Sequence, residues 1–237
     1  MSSPAPAIPF SFAPIRDRTR HAAPQVFEML REKILDLDLL PGTVLSRPEL
    51  QQQFGLSSTP IRDALLRLQE EDLVDIFPQH ATRVSRIDIG HARQAAFLRR
   101  AIEVEVAHSL ALAPDAALVE ALRDMLRQQQ AVADSNDLGR FNQLDRAMHR
   151  MMYDAAGIPD LWQVVQRRNG HIQRLRNLHL PLTGKVQQTI RDHTAIVDAV
   201  AAGDAAAAAR EARLHLSRSL SIIDEIRAKY PADYFRD

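Results

Sequence analysis

The sequence contains no cysteine among its 237 residues. Without thiols the chain can form no disulfide, can offer no thiolate to a metal ion and has no cysteine nucleophile. A metal ion would therefore have to be held by histidine, aspartate and glutamate side chains.

The sequence also lacks long apolar runs. It has no stretch of about 18 uncharged apolar residues that could span a membrane. Its start, MSSPAPAIPFSFAPIRDRTR, lacks the compact apolar stretch and the small-residue cleavage site of a signal peptide. Apolar residues still make up 46% of the chain, which is enough to bury a core. We expect a cytoplasmic protein of one or two domains with no membrane partner.

A net charge is missing as well, since 30 basic residues balance 30 acidic ones. Residues 1–86 taken alone are nearly balanced too. A neutral composition counts against a nucleic-acid partner, so binding to DNA would depend on which phosphates are neutralised locally.

The first part of the chain differs from the rest in composition. Residues 1–20 are rich in proline, serine and alanine and have no periodicity, so we predict a disordered arm. Its basic residues Arg16, Arg18 and Arg20 either contact phosphate or form a solvated tail.

Two domains are predicted to follow, at residues 21–86 and 87–237. The first starts with three short helices, over 24–39, over 47–54 and within LSSTPIRDALLRLQEEDLV, and VDIFPQHATRVSRI then suits a β-hairpin. Strand signals vanish after this hairpin. Helical segments cover about residues 88–112, 115–133, 137–156, 160–179, 184–202 and 204–229. The predicted fold class is mainly α, with an N-terminal winged helix-turn-helix followed by an all-α helical bundle.

The second and third helices have the layout of a helix-turn-helix, and the hairpin adds a wing. Such a helix fits the major groove of DNA, and its first turn would present hydroxyls and an arginine to base edges and phosphates. Winged helices also serve as protein contact modules, so the layout alone leaves both partners open.

The order of residues from Leu30 to Val84 is more specific. The marks are Leu40-Pro41-Gly42, Leu45, Leu50, Gly55-Leu56-Ser57, Thr59-Pro60-Ile61-Arg62, Ala64-Leu65, Leu68, Leu73, Pro78 and Val84. In order and spacing they resemble the GntR family of bacterial transcription regulators. The resemblance implies that Arg62 contacts double-stranded DNA near the start of a recognition helix, with the hairpin tip at a minor groove.

Four positions depart from the family pattern. Family members often have arginine where Pro48 and Ser58 stand, and glycine where Asp72 and Ala81 stand. Two basic residues, Arg47 and Arg83, either compensate for the missing arginines or are ordinary solvated side chains. The predicted DNA-binding residues are Arg47, Ser57, Ser58, Thr59, Arg62 and Arg83.

In the bundle, the stretch FNQLDRAMHRMMYD places Asp145 and His149 on the apolar face of a helix. Burying both groups is costly unless a partner satisfies them. Side chains four residues apart on a helix can share a partner, so either they bond to each other or they bind a divalent metal ion.

Two further histidines favour the metal. His193 and His215 each keep helical step with apolar residues of their own segments, so three helices would each send a histidine into the same interior. One aspartate and three imidazoles can hold Zn, Ni, Mn or Fe and leave room for water or a carboxylate. We predict a divalent metal site, with zinc first among these ions, at Asp145, His149, His193 and His215.

The C-terminal half resembles the all-α ligand-binding domain of the FadR subfamily, called FCD. The matches are Asp145-x3-His149, Ala155-Ala156-Gly157, Leu161, Asp192-His193, Ile196, Ala199, Gly203-Asp204 and His215. The resemblance implies metal ligands at the same four residues, a homodimer and a small-molecule effector near the metal. Glutamate is common in the family where Asp192 stands.

Three further residues are candidates for effector binding. Arg99 keeps step with apolar residues, and an inward guanidinium needs an anion: either a carboxylate ligand, as the family implies, or Glu103 one turn away. His171 and Arg174 share one side of a basic segment that is either a site or a solvated helix.

The functional prediction is a transcription regulator, not an enzyme, that acts as a repressor on a near-palindromic operator. A small carboxylate effector bridging the metal and Arg99 would relieve repression. The alternatives are a metal-dependent hydrolase or lyase and a protein-interaction scaffold. The first lacks a well-placed general base and gives the winged unit no role, and the second leaves the histidines unexplained.

Overall fold

A computed structural model describes residues 17, 19–77, 81–181, 184–218, 221 and 223–237. Most of the predicted disordered arm, including Arg16 and Arg18, lies outside these residues, as does Pro78 near the hairpin tip. The described residues divide into two compact units. One is formed by the chain up to Gly90 together with Lys229–Asp237, and the other by His91–Ala228.

The first unit has the predicted winged helix-turn-helix. Its elements are α1 (Ala22–Leu35), α2 (Arg47–Phe54), α3 (Ser58–Glu70) and the antiparallel strands β1 (Val74–Phe77) and β2 (Ala81–Val84). The apolar stripes of the helices form one buried core, to which Leu30, Leu50 and Leu65 belong. Ser46 caps α2 through a bond from the Glu49 amide, and Gly55 ends it in a left-handed conformation.

Two positive φ angles explain local departures from expectation. The first helix ends at Leu35 rather than at Leu39, because Leu37 has a φ of 64° and leaves the helical region. Asp72, where family members often have glycine, has a φ of 58°. Aspartate tolerates this left-handed conformation better than most residues, so the turn into β1 survives the change.

A short parallel strand pair was not foreseen from the sequence. Strand β3 (Ile87–Asp88) pairs with β4 (Phe235–Arg236), which follows a single turn of 3-10 helix, Ala232–Tyr234. The structure therefore groups residues 229–237 with the first unit, whereas the sequence had assigned them to the C-terminal domain. A strand of two residues has no periodicity that sequence reasoning could detect.

The second unit is helical. Its elements are α4 (Ile89–Leu112), α5 (Ala116–Asp134), α6 (Leu138–Ala155), α7 (Pro159–Arg168), α8 (Gly170–His179), α9 (Lys185–Ala201), α10 (Ala205–Ser217) and α11 (Ile223–Lys229). The segment predicted as one helix over 160–179 is two helices that break at Asn169-Gly170, a pair with low helix propensity. The segment predicted over 204–229 is also divided, into α10 and α11. Among the described residues, no helix combines the length and apolar character needed to cross a membrane.

Candidate metal centre and nucleic-acid interface

Helix α6 buries its acid and its imidazole, as the sequence predicted. Phe141, Leu144 and Met148 cover the same face and draw it into the bundle. Asp145 is only 1% exposed and His149 only 5%. Both groups therefore depend on partners within the protein.

Three histidines from three helices meet in the bundle. His149 lies on α6, His193 on α9 and His215 on α10, and one ring nitrogen from each lies within 4.8 Å of the others. The Nε2 atoms of His193 and His215 are 3.3 Å apart. The predicted convergence of three helices on one point is present in the structure.

Asp145 lies beside this cluster rather than inside it. Its Oδ1 is 3.6 Å from His193 Nε2, whereas the three ring nitrogens that lie within 4.8 Å of one another all belong to the histidines. Its Oδ2 accepts a 2.7 Å hydrogen bond from Nη2 of Arg176, a buried residue of α8. Sequence reasoning missed Arg176 because several basic residues blur the register of that helix.

The outward nitrogens of the three imidazoles face acceptors. His149 Nδ1 is 3.0 Å from Glu103 Oε2, and His193 Nδ1 is 3.1 Å from the Gln129 side-chain oxygen. His215 Nδ1 is 3.6 Å from Asp192 Oδ2. Acceptors in these places hold the ring protons on Nδ1 and turn the Nε2 lone pairs inward, which is how metal-binding histidines are oriented.

Among the buried polar atoms of the described residues that have no hydrogen-bond partner, two lie at this cluster. They are Nε2 of His149 and Oδ1 of Asp145. Native proteins rarely leave buried polar atoms unsatisfied, so such atoms call for an explanation. A divalent ion bound by these atoms and by the Nε2 atoms of His193 and His215 would supply one, and one carboxylate with three imidazoles is a donor set that such ions accept.

The protonation states agree with this donor set. Burial lowers the pKa of His193 well below its ordinary value, and the neighbouring His215 lowers it further. Burial also lowers the pKa of His215, although Asp192 acts in the opposite direction. Burial raises the pKa of Asp145, but the neighbouring positive charges, of which Arg176 contributes most, together outweigh burial and the net pKa is lowered. Neutral imidazoles and an ionised carboxylate are the forms that bind metal.

Two cavities adjoin the cluster. The smaller one measures about 10 Å³, and its lining includes the three histidines. This is roughly the volume that one water-sized occupant needs. The larger one measures about 50 Å³, and it is lined by Arg176, His179, Leu180, Lys185, Gln188, Thr189, Asp192, His215 and Arg218. His215 contributes to both linings.

Arg99 is buried and already paired. Its Nε donates a 2.7 Å hydrogen bond to Glu103 Oε1, which is the alternative that the sequence left open. Tyr153 donates to the same oxygen over 3.4 Å, and Glu103 Oε2 faces His149. Arg99 therefore reaches the histidine cluster through Glu103.

His171 and Arg174 are buried, so the alternative of a solvated basic helix is wrong for α8. Arg174 is fully buried and donates from Nη2 to His171 Nδ1 over 2.9 Å. The ring of His91 stacks on His171 with 5.1 Å between centroids. Neither His171 nor Arg174 contributes to the lining of the two cavities.

The predicted DNA-binding residues are exposed on the first unit. The set consists of Arg47, Ser57, Ser58, Thr59, Arg62 and Arg83. The Arg62 side chain is 63% exposed, and its contact with Asp63 is long, at 3.7 Å. No described side chain caps the N-terminus of α3, so its amide groups can face phosphates. Arg83 donates a 3.4 Å hydrogen bond to the Gly42 carbonyl.

Comparisons with known proteins match both halves of the chain. Residues 22–84 match the family model described as bacterial regulatory proteins, gntR family, and residues 94–218 match the FCD domain. An uncharacterized HTH-type transcriptional regulator in an unstable DNA locus of Streptomyces ambofaciens is 35% identical over 90% of this chain and 89% of its own length. The HTH-type transcriptional repressor RspR of Escherichia coli K12 is 27% identical over 90% of this chain and 93% of its own.

Solved structures share the fold. E. coli McbR/YncC aligns with a TM-score of 0.73 at 19% identity, covering 90% of this chain and 100% of that one. A GntR regulator from Rhodococcus sp. RHA1, whose structure was described as that of a putative transcriptional regulator, aligns with a TM-score of 0.71 at 19% identity, covering 88% and 99%. Both resemblances drawn from the sequence are confirmed.

Proposed function

The chain belongs to the GntR family of bacterial regulatory proteins and carries an FCD domain, and on that premise we propose that it is a repressor whose affinity for DNA is controlled by a small carboxylate bound beside a divalent metal ion. The observation that carries the metal and effector part is the meeting of His149, His193 and His215, with their Nδ1 atoms facing acceptors and their Nε2 atoms facing inward. As a DNA-binding regulator of a bacterial family, the protein would work in the cytoplasm.

The metal would be held by Nε2 of the three histidines and by Oδ1 of Asp145. Zinc fits this donor set first, and nickel, manganese and iron are the other ions that accept it. Arg176 fixes the second oxygen of Asp145 and so leaves Oδ1 directed to the cluster. When bound, the ion supplies a positive charge and an open coordination position for a carboxylate oxygen.

The effector carboxylate would occupy the larger cavity. Arg176, Lys185 and Arg218 line that cavity beside His215. Arg176 already contacts Asp145 and Arg218 contacts Asp192, so Lys185 is the cation that we assign to the effector carboxylate. Arginine and lysine are the side chains that bind carboxylates most strongly.

The three residues predicted from the sequence to bind the effector are not placed beside it in this proposal. Arg99 would orient His149 through Glu103 rather than hold the effector directly. His171 and Arg174 stay predictions as effector ligands, since they lie in a buried pair away from both cavities.

Homodimer formation is supported by an exposed apolar face on α4. Phe97 is 66% exposed and lines a surface depression with Ala101, Val104 and the charged residues Arg100, Glu105 and Arg213. A patch that carries apolar residues together with charges of both signs can be self-complementary in a two-fold dimer. A homodimer has two α3 helices, which is the number needed to read the two half-sites of a near-palindromic operator.

The enzymatic alternative gains no support. A hydrolase or lyase would need a free general base beside the metal. Glu103, the carboxylate that lines the smaller cavity, is engaged by Arg99 and His149, and despite burial these neighbours lower its pKa. It is positioned to orient His149 rather than to accept a proton from water.

The test is fluorescence anisotropy with a duplex that the zinc-loaded protein selects from a random-sequence pool. Addition of mono-, di- and tricarboxylates should weaken DNA binding by about 5- to 150-fold for at least one compound. A Lys185→Ala variant should bind the same duplex without ligand and respond less to the carboxylate. An Arg150→Ala variant, which removes an exposed cation on α6 outside both cavities, should respond like the wild type. Unchanged DNA binding across the whole panel would contradict effector control.

A further inference from the structure

The last residues of the chain are part of the winged unit. Strand β4 lies parallel to β3, with Phe235 opposite Ile87 and Arg236 opposite Asp88. Both apolar residues of this pair are buried. Residues 229–237 fall outside both matched family regions, 22–84 and 94–218.

Arg236 connects two strands of this unit. Its Nε donates to Asp88 Oδ2 of β3 over 3.0 Å, and its Nη1 lies 3.5 Å from Asp75 Oδ1 of β1. The side chains of Arg236 and Asp75 are each 37% exposed. These are partly solvated ion pairs whose main contribution is to orientation rather than to stability.

Asp75 belongs to the wing itself. In the β-hairpin it lies directly opposite Arg83, a predicted DNA-binding residue. A two-stranded hairpin is marginally stable by itself and takes its orientation from neighbouring contacts. The contacts from Arg236 therefore restrain strand β1, which is paired with the strand that carries Arg83.

We propose that residues 229–237 are a functional part of the DNA-binding unit and that Arg236 is a positioning residue. Through Asp75 and Asp88 it holds the wing against the β3–β4 pair, in the orientation that DNA binding requires. Burial of Phe235 fixes the segment to the first unit, and the ion pairs of Arg236 set the orientation of the wing. The inference rests on DNA binding by the winged unit.

The experiment measures the affinity of full-length protein for a duplex selected by the wild type from a random-sequence pool, as a function of salt concentration. Arg236→Ala should weaken binding by about three- to tenfold, because two partly solvated ion pairs are lost. Arg236→Lys should recover most of that loss. The slope of log affinity against log salt should stay the same, since a positioning residue neutralises no phosphate.

The variant Asp75→Ala separates the proposal from simple charge repulsion, because the two predict changes in DNA affinity of opposite sign. Removal of a wing carboxylate should strengthen DNA binding if Asp75 merely repels phosphates. Under the proposal it weakens binding instead, and the double variant with Arg236→Ala binds no worse than the weaker single variant. Phe235→Ala should reproduce the loss by releasing the whole segment, and it keeps the test informative if one ion-pair variant folds poorly. Arg127→Ala, which removes an exposed ion pair on α5, is the matched control with unchanged affinity.

Each outcome decides the matter. If the wild type binds its duplex and Arg236→Ala binds equally well, the inference is overturned and DNA binding stands. A salt slope reduced by about one in Arg236→Ala would make Arg236 a phosphate contact and would also overturn it. If the wild type selects no duplex, both the inference and the proposed function fall.

Discussion

The exposed face of α3 and the buried histidine cluster are both built from polar residues, yet the protein depends on them in different ways. Arg62 and its neighbours are exposed, so their loss should affect a partner and leave the fold intact. Asp145 and the histidines are buried among apolar side chains, so their loss should be felt by the fold as well. Substitutions in the two regions should therefore separate binding from stability.

The largest expected effect is in the buried region. Asp145→Ala leaves the Arg176 guanidinium buried without its carboxylate and should lower the free energy of unfolding by about 3–5 kcal/mol. Asp198→Ala, which removes an exposed partner of Arg123, is the control and should cost less than about 1 kcal/mol. Urea unfolding of chelator-treated protein measures both, and equal costs would mean that the buried pair has no special role.

Metal loading comes next. At 100 to 1,000 times its dissociation constant, zinc should raise the free energy of unfolding by about 2.7–4.1 kcal/mol. For a chain of this size the midpoint of thermal unfolding should rise by roughly 5–15 °C. His193→Ala should abolish most of the rise, whereas His108→Ala, at a half-buried histidine away from the cluster, should keep it. A rise that is equal in both variants would place the ion elsewhere.

Arg62→Ala should have a smaller effect, and it should change DNA affinity rather than stability. Its exposed side chain should contribute little to the fold, so thermal unfolding should be unchanged. Binding to the selected duplex should weaken by about 1–3 kcal/mol in anisotropy measurements. Loss of stability without loss of DNA affinity would remove α3 from the interface.

The smallest effect is a pH dependence of the metal-free protein. The pKa values of His193 and His215 are lowered from 6.5 by burial, so the folded state binds fewer protons than the unfolded state. Stability is therefore complete above pH 6.5 and falls as the pH drops below that value, by at most about 1.4 kcal/mol per pH unit for each histidine. Guanidinium unfolding between pH 7.5 and 5.5 checks this, with His193→Gln as the flatter variant. A rise in stability toward acid would contradict the burial of neutral imidazoles.

The sequence predicted the histidine cluster because each ligand keeps helical step with apolar residues. Such steps are local, and they survive in the structure for His149, His193 and His215. The partner of Arg99 was left open, because an inward guanidinium accepts either Glu103 or a ligand and only distances decide between them. Gln129 stood in a run of identical glutamines that gave no reason to single it out.

Long-range pairings were missed for a related reason. The contact of Arg176 with Asp145 depends on how two helices pack, and the pairing of β4 with β3 joins two segments of the first unit that lie before and after the second unit in sequence. Neither of these contacts produces a periodic pattern in the sequence. Polar residues could be placed on a helix face from the sequence, whereas their partners on other elements required the fold.

The most direct test of the histidine cluster is the metal content of protein purified without chelator, measured by mass spectrometry with elemental detection. The wild type should carry close to one divalent ion per chain, and a His149→Ala, His193→Ala, His215→Ala triple variant should carry almost none. A wild type without metal, or a triple variant that retains as much metal as the wild type, would contradict the assignment of this cluster as the metal centre.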